Sequence, residues 1–138
     1  MQIREIMTRG VKLTHPDDTI RNAARRMRDE DIGSLPVADG DRLVGYLTDR
    51  DIVVRALAGE AGPDSPVREA MSDRVLYCFE DDTVESVAKN MAKNQVRRLP
   101  VLTREKRLCG IVALGDLAVK GVDEPAEEAL EGISRQKR

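Results

Sequence analysis

The stretch GYLTDRD, Gly45–Asp51, returns late in the chain as GIVALGD, Gly110–Asp116. Both copies open on a glycine, follow it with two apolar residues and close on an aspartate. They part at the fourth place, which is Thr48 in the first copy and Ala113 in the second. Working outward, the likeness spreads over most of the chain. IREIMT (Ile3–Thr8) lies over VREAMS (Val67–Ser72), at an offset of 64 residues. The same offset lays HPDDTI over FEDDTV, so that Asp17, Asp18 and Thr19 meet Asp81, Asp82 and Thr83. It also lays DIGSLPV over QVRRLPV, matching Leu35, Pro36 and Val37 to Leu99, Pro100 and Val101. One inserted residue near Lys106 shifts the register, after which RLVG meets RLCG and the two opening stretches coincide. A unit of this length present only twice reads as a pseudo-symmetric pair, because a solenoid needs more copies to bury its core.

Each copy predicts the order β-α-β-β-α. A short extended run, VKLT or VLYC, is rich in β-branched and apolar residues. An acidic cap, Asp18 or Asp82, precedes a helix whose apolar positions recur at helical spacing: Ile20, Ala23, Ala24 and Met27, or Val84, Val87, Ala88 and Met91. Asp82 and Glu85 form a capping-box-like pair. LPV reads as a strand start or edge because of its proline. A polar turn leads to a second strand, LVGYL or LCGIV, and then to a helix, DRDIVVRALA or the weaker GDLAVKG. The expected fold class is α+β, with a first domain over residues 1–60, a linker over 61–66, a second domain over 67–121 and a charged tail over 122–138. In the linker region Ser65 is the expected N-cap and Pro66 the first helical residue of PVREAM.

Composition narrows the function. The 138 residues carry a net charge of −2 with both signs interspersed, and only two Tyr, one Phe and no Trp. Neither an electrostatic grip on nucleic acid nor a stacking platform for single strands is expected. No segment looks like a signal peptide or a membrane span, so the expected location is cytoplasmic. Cys78 and Cys109 fit no metal spacing and read as packed thiols. His15, the single histidine, has no partner spaced to complete a metal site. The DRD and DDT carboxylates fall at helix starts, where capping accounts for them, and neither an activated nucleophile nor a Gly-rich phosphate loop is present. No enzymatic activity is expected.

Thr48 and Asp51 bear two compatible readings. T-x-x-D opening a helix is a capping box, and an acidic first turn suits the helix dipole. The same junction presents free N–H groups to a phosphate and a short carboxylate to a pair of hydroxyls. Asp116 keeps its place in the second copy, but Ala113 has no hydroxyl to offer. Arg97 and Arg98 stand where the first copy has Gly33 and Ser34; on their own they read as a solvated pair.

A duplicated β-α-β-β-α unit with LPV before its second strand and G-h-h-[ST]-x-x-D at its last junction resembles the CBS domain, and two copies resemble the CBS pair, or Bateman module. IMT, DIGSLPV, LTDRDIVVRAL and QVRRLPV look most like small stand-alone bacterial CBS-pair proteins of the hypoxic-response type. The resemblance covers about Ile3 to Lys120. It implies clefts between the repeats that take AMP, ADP, ATP or S-adenosylmethionine as regulatory ligand, with no obligatory cofactor, and a module that pairs into a homodimer. It implies that Asp51 and Asp116 hold ribose hydroxyls and that Thr48, Arg97 and Arg98 serve the phosphates. It further implies that the Asp51 cleft borrows Tyr77, Cys78 or Phe79, and the Asp116 cleft Thr14 and His15, from the other repeat. The function so implied is adenosyl-nucleotide sensing, acting in trans on a partner protein. The alternative is a ligand-independent dimeric scaffold or stress-response protein, redox-sensitive through Cys78 or Cys109.

Overall fold

The computed structural model describes residues 1–119, so the expected charged tail over 122–138 lies outside the described residues. The chain packs as two units, one contiguous (Lys12–Val75) and one split, in which Met1–Val11 joins the chain from Leu76 onward. The packing units and the sequence repeats are therefore offset. IREIMT packs in the split unit with the second repeat's strands, and VREAMS packs in the contiguous unit with the first repeat's strands.

In the contiguous unit, helix α1 (Ile20–Glu30) buries Ile20, Ala23 and Met27. Its N-cap is Thr19, whose hydroxyl accepts from the Asn22 N–H at 3.1 Å, and not Asp18 as the sequence suggested. Thr19 holds the extended φ and ψ that a cap requires. Asp18 instead braces that cap, with its carboxylate accepting from the Thr19 N–H at 2.9 Å and the Asn22 amide at 3.0 Å. Strands β1 (Ser34–Asp39) and β2 (Arg42–Thr48) pair antiparallel, with Leu35 opposite Leu47 and Val37 opposite Gly45. The hairpin turns on Gly40 at φ +64°, where a side chain would be strained. The expected first strand shrinks to Thr14, which bridges Val37 in parallel. The Thr14 N–H donates to Pro36 and its carbonyl accepts from Ala38. Pro36 thus lies inside β1, one pairing place ahead of that bridge, so its missing donor leaves no ladder bond unmade.

Thr48 leads into α2 (Asp49–Asp51), which continues over Ile52–Leu57 with the wider π winding; the Ala58 N–H bonds back to Val53. Ser65 is not an N-cap. Its hydroxyl accepts from the Gly62 N–H at 2.9 Å and closes the preceding turn, while Pro66, with extended φ and ψ and no side-chain cap bond, stands at the N-cap position of the short 3-10 turn Val67–Glu69. Arg55 anchors this turn to α2's extension by donating to the carbonyls of Ala70 and Met71, both at 2.9 Å.

The split unit repeats the plan with a fuller sheet. Strand β4 (Arg98–Leu102) runs between a parallel β3 (Cys78–Phe79) and an antiparallel β5 (Leu108–Ala113). Pro100 therefore sits within a middle strand rather than at a start or an edge. Helix α3 (Val84–Asn94) is capped by Thr83, which accepts from the Ser86 N–H at 3.2 Å. Asp82 is occupied elsewhere, accepting from the Phe79 N–H at 2.9 Å, so the expected Asp82–Glu85 box does not form. Helix α4 (Leu114–Val119) follows β5. The core joins Ile3, Ile6 and Met7 to Val84, Val87, Met91, Leu99, Val101, Val112 and Leu117.

Both long helices end on a left-handed residue that is not glycine: Asp31 at φ +53° after α1 and Gln95 at φ +54° after α3. The Gln95 side-chain oxygen is also buried without a hydrogen-bond partner among the described residues. Gln95→Gly is therefore expected to stabilise the protein by roughly 1 kcal/mol, from relief of the Cβ clash. Urea denaturation at constant m-value measures this.

The two glycines of the opening stretches have one task. Met71 and Ser72 lie across Gly45, with Ser72 and Tyr46 exchanging backbone hydrogen bonds of 2.9 Å. Met7 and Thr8 lie across Gly110 in the same way, with Thr8 bonded to Ile111 at 2.8 and 2.9 Å. A β-carbon at either glycine would stand 2.6 Å from a methionine sulfur.

Candidate functional site: two strand-to-helix junctions

Each unit brings its second strand of the hairpin to an aspartate at the start of a helix. In the contiguous unit the Thr48 hydroxyl accepts from the Asp51 N–H at 3.0 Å, and Asp51 Oδ2 accepts from the Thr48 N–H at 3.0 Å. This is the reciprocal capping box read from the sequence. In the split unit Asp116 Oδ2 accepts from the Ala113 N–H at 2.8 Å, while Ala113 returns nothing. The carboxylate is thus held in the same way in both units, and the hydroxyl half of the box exists only in one. Both aspartates are half-buried, and among the described residues the second oxygen of each, Oδ1, makes no hydrogen bond.

The surroundings of the two carboxylates differ. A backbone bond closes each junction identically, from the Asp49 N–H to Gly33 and from the Leu114 N–H to Arg97, both at 2.9 Å. In the contiguous unit the Asp49 carboxylate lies over Gly33, so that a β-carbon there would stand 3.1 Å from Oδ2. Ser34 is opposite Thr48 in the hairpin, and its hydroxyl shares a 2.9 Å hydrogen bond with that of Tyr46. In the split unit Leu114 is buried, Arg97 and Arg98 are exposed, and Arg98 is opposite Ala113. The structure therefore brings Arg97 and Arg98 to the Asp116 junction of their own unit. In the sequence Asp49 reads only as a helix-start carboxylate of DRD, with no role at the site. The signal was there in the repeat alignment, where Gly33 and Asp49 change together to Arg97 and Leu114.

The remaining candidates lie farther along their units. Thr14 and Cys78 occupy equivalent places beside the hairpins, and both side chains are buried, at 2% and 3% exposure. The Thr14 hydroxyl donates to Asp18 at 3.3 Å, and the Cys78 thiol faces the Pro100 carbonyl at 3.8 Å. Tyr77 is exposed and meets Phe79 edge-on, with ring centroids 5.6 Å apart. The Arg104 guanidinium lies over the Phe79 ring, 4.2 Å from its centroid, and forks onto Asp81. Arg104 beside it holds the Asp81 carboxyl below the usual carboxylate range. His15 is exposed, with its Nδ1 accepting from the Asp17 N–H at 3.0 Å and its Nε2 3.4 Å from Asp39.

Burial, helped by the Asp82 charge, pushes the Cys78 thiol up to about 12. Burial raises Cys109 as well. A thiol reacts as its thiolate, and burial lowers the thiolate share of both cysteines. Among the described residues, no group of three or more His, Cys, Asp or Glu side chains is placed to hold a metal ion, and no helix is long and apolar enough to cross a membrane.

Comparison with known proteins agrees with this geometry. The CBS domain pattern matches residues 3–57 and again 67–123. Hypoxic response protein 1 of Mycobacterium tuberculosis is 41% identical over 117 residues, covering 83% of this chain and 81% of its own. A crystal structure of Hypoxic Response Protein I with two coordinated zinc ions superposes with a TM-score of 0.78 at 38% identity, covering 87% of this chain and 98% of that one. The CBS domain pair of protein MJ0100, solved in complex with 5-methylthioadenosine and S-adenosyl-L-methionine, superposes with a TM-score of 0.74 at 29% identity, covering 87% of this chain and 94% of that one. With two matched copies, a mixed helix-and-strand fold and the duplicated junction, the chain belongs to the CBS domain family as a tandem CBS pair.

Proposed function

We propose that this CBS pair is a regulatory module that binds an adenosyl compound at its strand-to-helix junctions and acts in trans on a partner protein. The observation that carries this reading is the treatment of Asp51 and Asp116. One oxygen of each is fixed by a backbone N–H three residues back, while the other has no partner among the described residues. A carboxylate held at one oxygen and open at the other is prepared to accept from a ribose diol. The adenosyl ligands of the MJ0100 pair support the ligand class. Thr48, Arg97 and Arg98 serve the remainder of the ligand, and Tyr77 offers an exposed ring. AMP, ADP, ATP and S-adenosylmethionine are the candidates, and the module works as a homodimer without enzymatic activity of its own.

Isothermal titration with these four ligands tests the reading. Removing a charged hydrogen-bonding partner costs about 1.5–3 kcal/mol. Asp51→Ala or Asp116→Ala is thus expected to weaken binding at its own junction at least tenfold. Each variant also loses a helix cap, so thermal melts must show it folded at the titration temperature. No heat from any of the four ligands at millimolar concentration with wild type would sink the proposal.

A further inference from the structure

The two junctions carry opposite charge around equivalent aspartates. Residues 33–34 with 48–51 have a formal charge of −1, whereas 97–98 with 113–116 have +1. The difference is built into the packing. Asp49 lies over Gly33 with its carboxylate oxygen 3.1 Å from where a β-carbon would be, so a larger side chain there would have to push the Asp49 carboxylate aside. In the split unit the equivalent pair is Arg97 and a buried Leu114, which leaves the guanidinium room to project. Arg50, the one cation of the contiguous junction, stands between Asp49 and Asp51, and its N–H donates to Asp49 at 2.8 Å.

We propose that the junctions discriminate by ligand charge: the split unit takes a phosphorylated adenosyl ligand, and the contiguous unit takes a phosphate-free adenosyl thioether or sulfonium, with Asp49 over Gly33 as the specificity-determining contact. The proposal rests on the adenosyl reading given above. At the contiguous junction a phosphate would meet the exposed Asp49 carboxylate, a like-charge approach that is unfavourable. The Ser34, Tyr46 and Thr48 hydroxyls there suit a neutral ligand's polar atoms, and two carboxylates suit a sulfonium. At the split junction Arg97 and Arg98 match the planar, bidentate geometry of phosphate oxygens, and neither Ala113 nor Leu114 opposes them.

Titration of AMP and of 5′-methylthioadenosine into wild type, Asp51→Ala and Asp116→Ala assigns each ligand to a unit. AMP is expected to bind with a stoichiometry of one, lost at least tenfold in Asp116→Ala and kept in Asp51→Ala; methylthioadenosine shows the reverse. Exchanging the contact, Gly33→Arg with Asp49→Leu, is expected to raise the AMP stoichiometry to two. Asp49→Leu alone, which leaves the backbone at position 33 unaltered, is expected to raise AMP affinity at the contiguous junction about tenfold. AMP lost in Asp51→Ala but kept in Asp116→Ala overturns the discrimination, as does a wild-type protein that binds both ligands equally at both junctions. An exchange variant that stays at one AMP, with Asp49→Leu also silent, overturns the role of Asp49. Absence of heat with every ligand overturns the adenosyl reading itself and this inference with it.

Discussion

Replacing Ile3 and Ile6 together with alanine is expected to unfold the split unit while the contiguous unit stays folded. Ile3 and Ile6 are 0% and 1% exposed and lie in one cluster with Val84, Val87, Met91, Leu99, Val101 and Val112. Truncating a buried isoleucine to alanine costs about 2–5 kcal/mol, so the pair removes a sum comparable to a domain's whole stability of about 5–15 kcal/mol. The backbone around them is equally committed, with the N–H groups of Ile3 and Arg4 donating to Asp82 and Glu80 at 2.9 Å each. Hydrogen exchange resolved by peptide is the measurement. Protection should fall across residues 78–117, far away in sequence from the substitutions, and persist across 20–71. Loss confined to residues 1–11 would refute the packing that joins them to the second repeat.

Gly110→Ala is expected to cost about 1–3 kcal/mol, the usual penalty for forcing a methyl group into a filled interior. The added β-carbon would lie 2.6 Å from Met7 Sδ and 3.0 Å from the Thr8 carbonyl. Methionine is pliable and can yield. The Thr8 carbonyl cannot retreat without breaking its 2.9 Å bond from the Ile111 N–H. Met7→Ala removes the yielding part of the obstruction, so the double variant should be more stable than the sum of the single losses predicts. Strict additivity in chemical denaturation would show that the sulfur is not what the glycine accommodates. Gly45→Ala, crossed by Met71 and by Ser72 at 2.9 Å, should behave alike in the contiguous unit.

How far the sequence revealed all this depends on what kind of interaction set each feature. Periodicity and repetition are local, and they located both long helices, both hairpins and the Thr48–Asp51 box. The cap residues were misplaced by one position, because Asp18 and Thr19 are both good caps and only their backbone angles decide between them. Pro100 in a middle strand was hidden because a missing donor matters only where a neighbour would have used it. The division into units was beyond sequence reading for a different reason. IREIMT and VREAMS are nearly equivalent, so their likeness shows that each fits under a GYL-type strand but not under whose. At the junctions, the aspartates were visible as motif, whereas the Asp49–Gly33 contact shows only when two positions sixteen apart are read as one change.

The split packing also orders events during synthesis. Lys12–Val75 is a single run of chain, so it can complete its own core as soon as Val75 is available. Ile3, Ile6 and Met7 must wait until Leu117 has been made before their cluster can close. Joining distant segments carries a loop-closure cost that grows with the intervening length, and contacts of long sequence separation slow folding. If the contiguous unit folds first, it shortens that loop and brings the waiting segment nearer to its place. Ile3, Ile6 and Met7, made before either unit's strands, are then among the last of these core residues to be buried, and for that interval three apolar side chains depend on the chain's own delay, or on a chaperone, to stay out of aggregates.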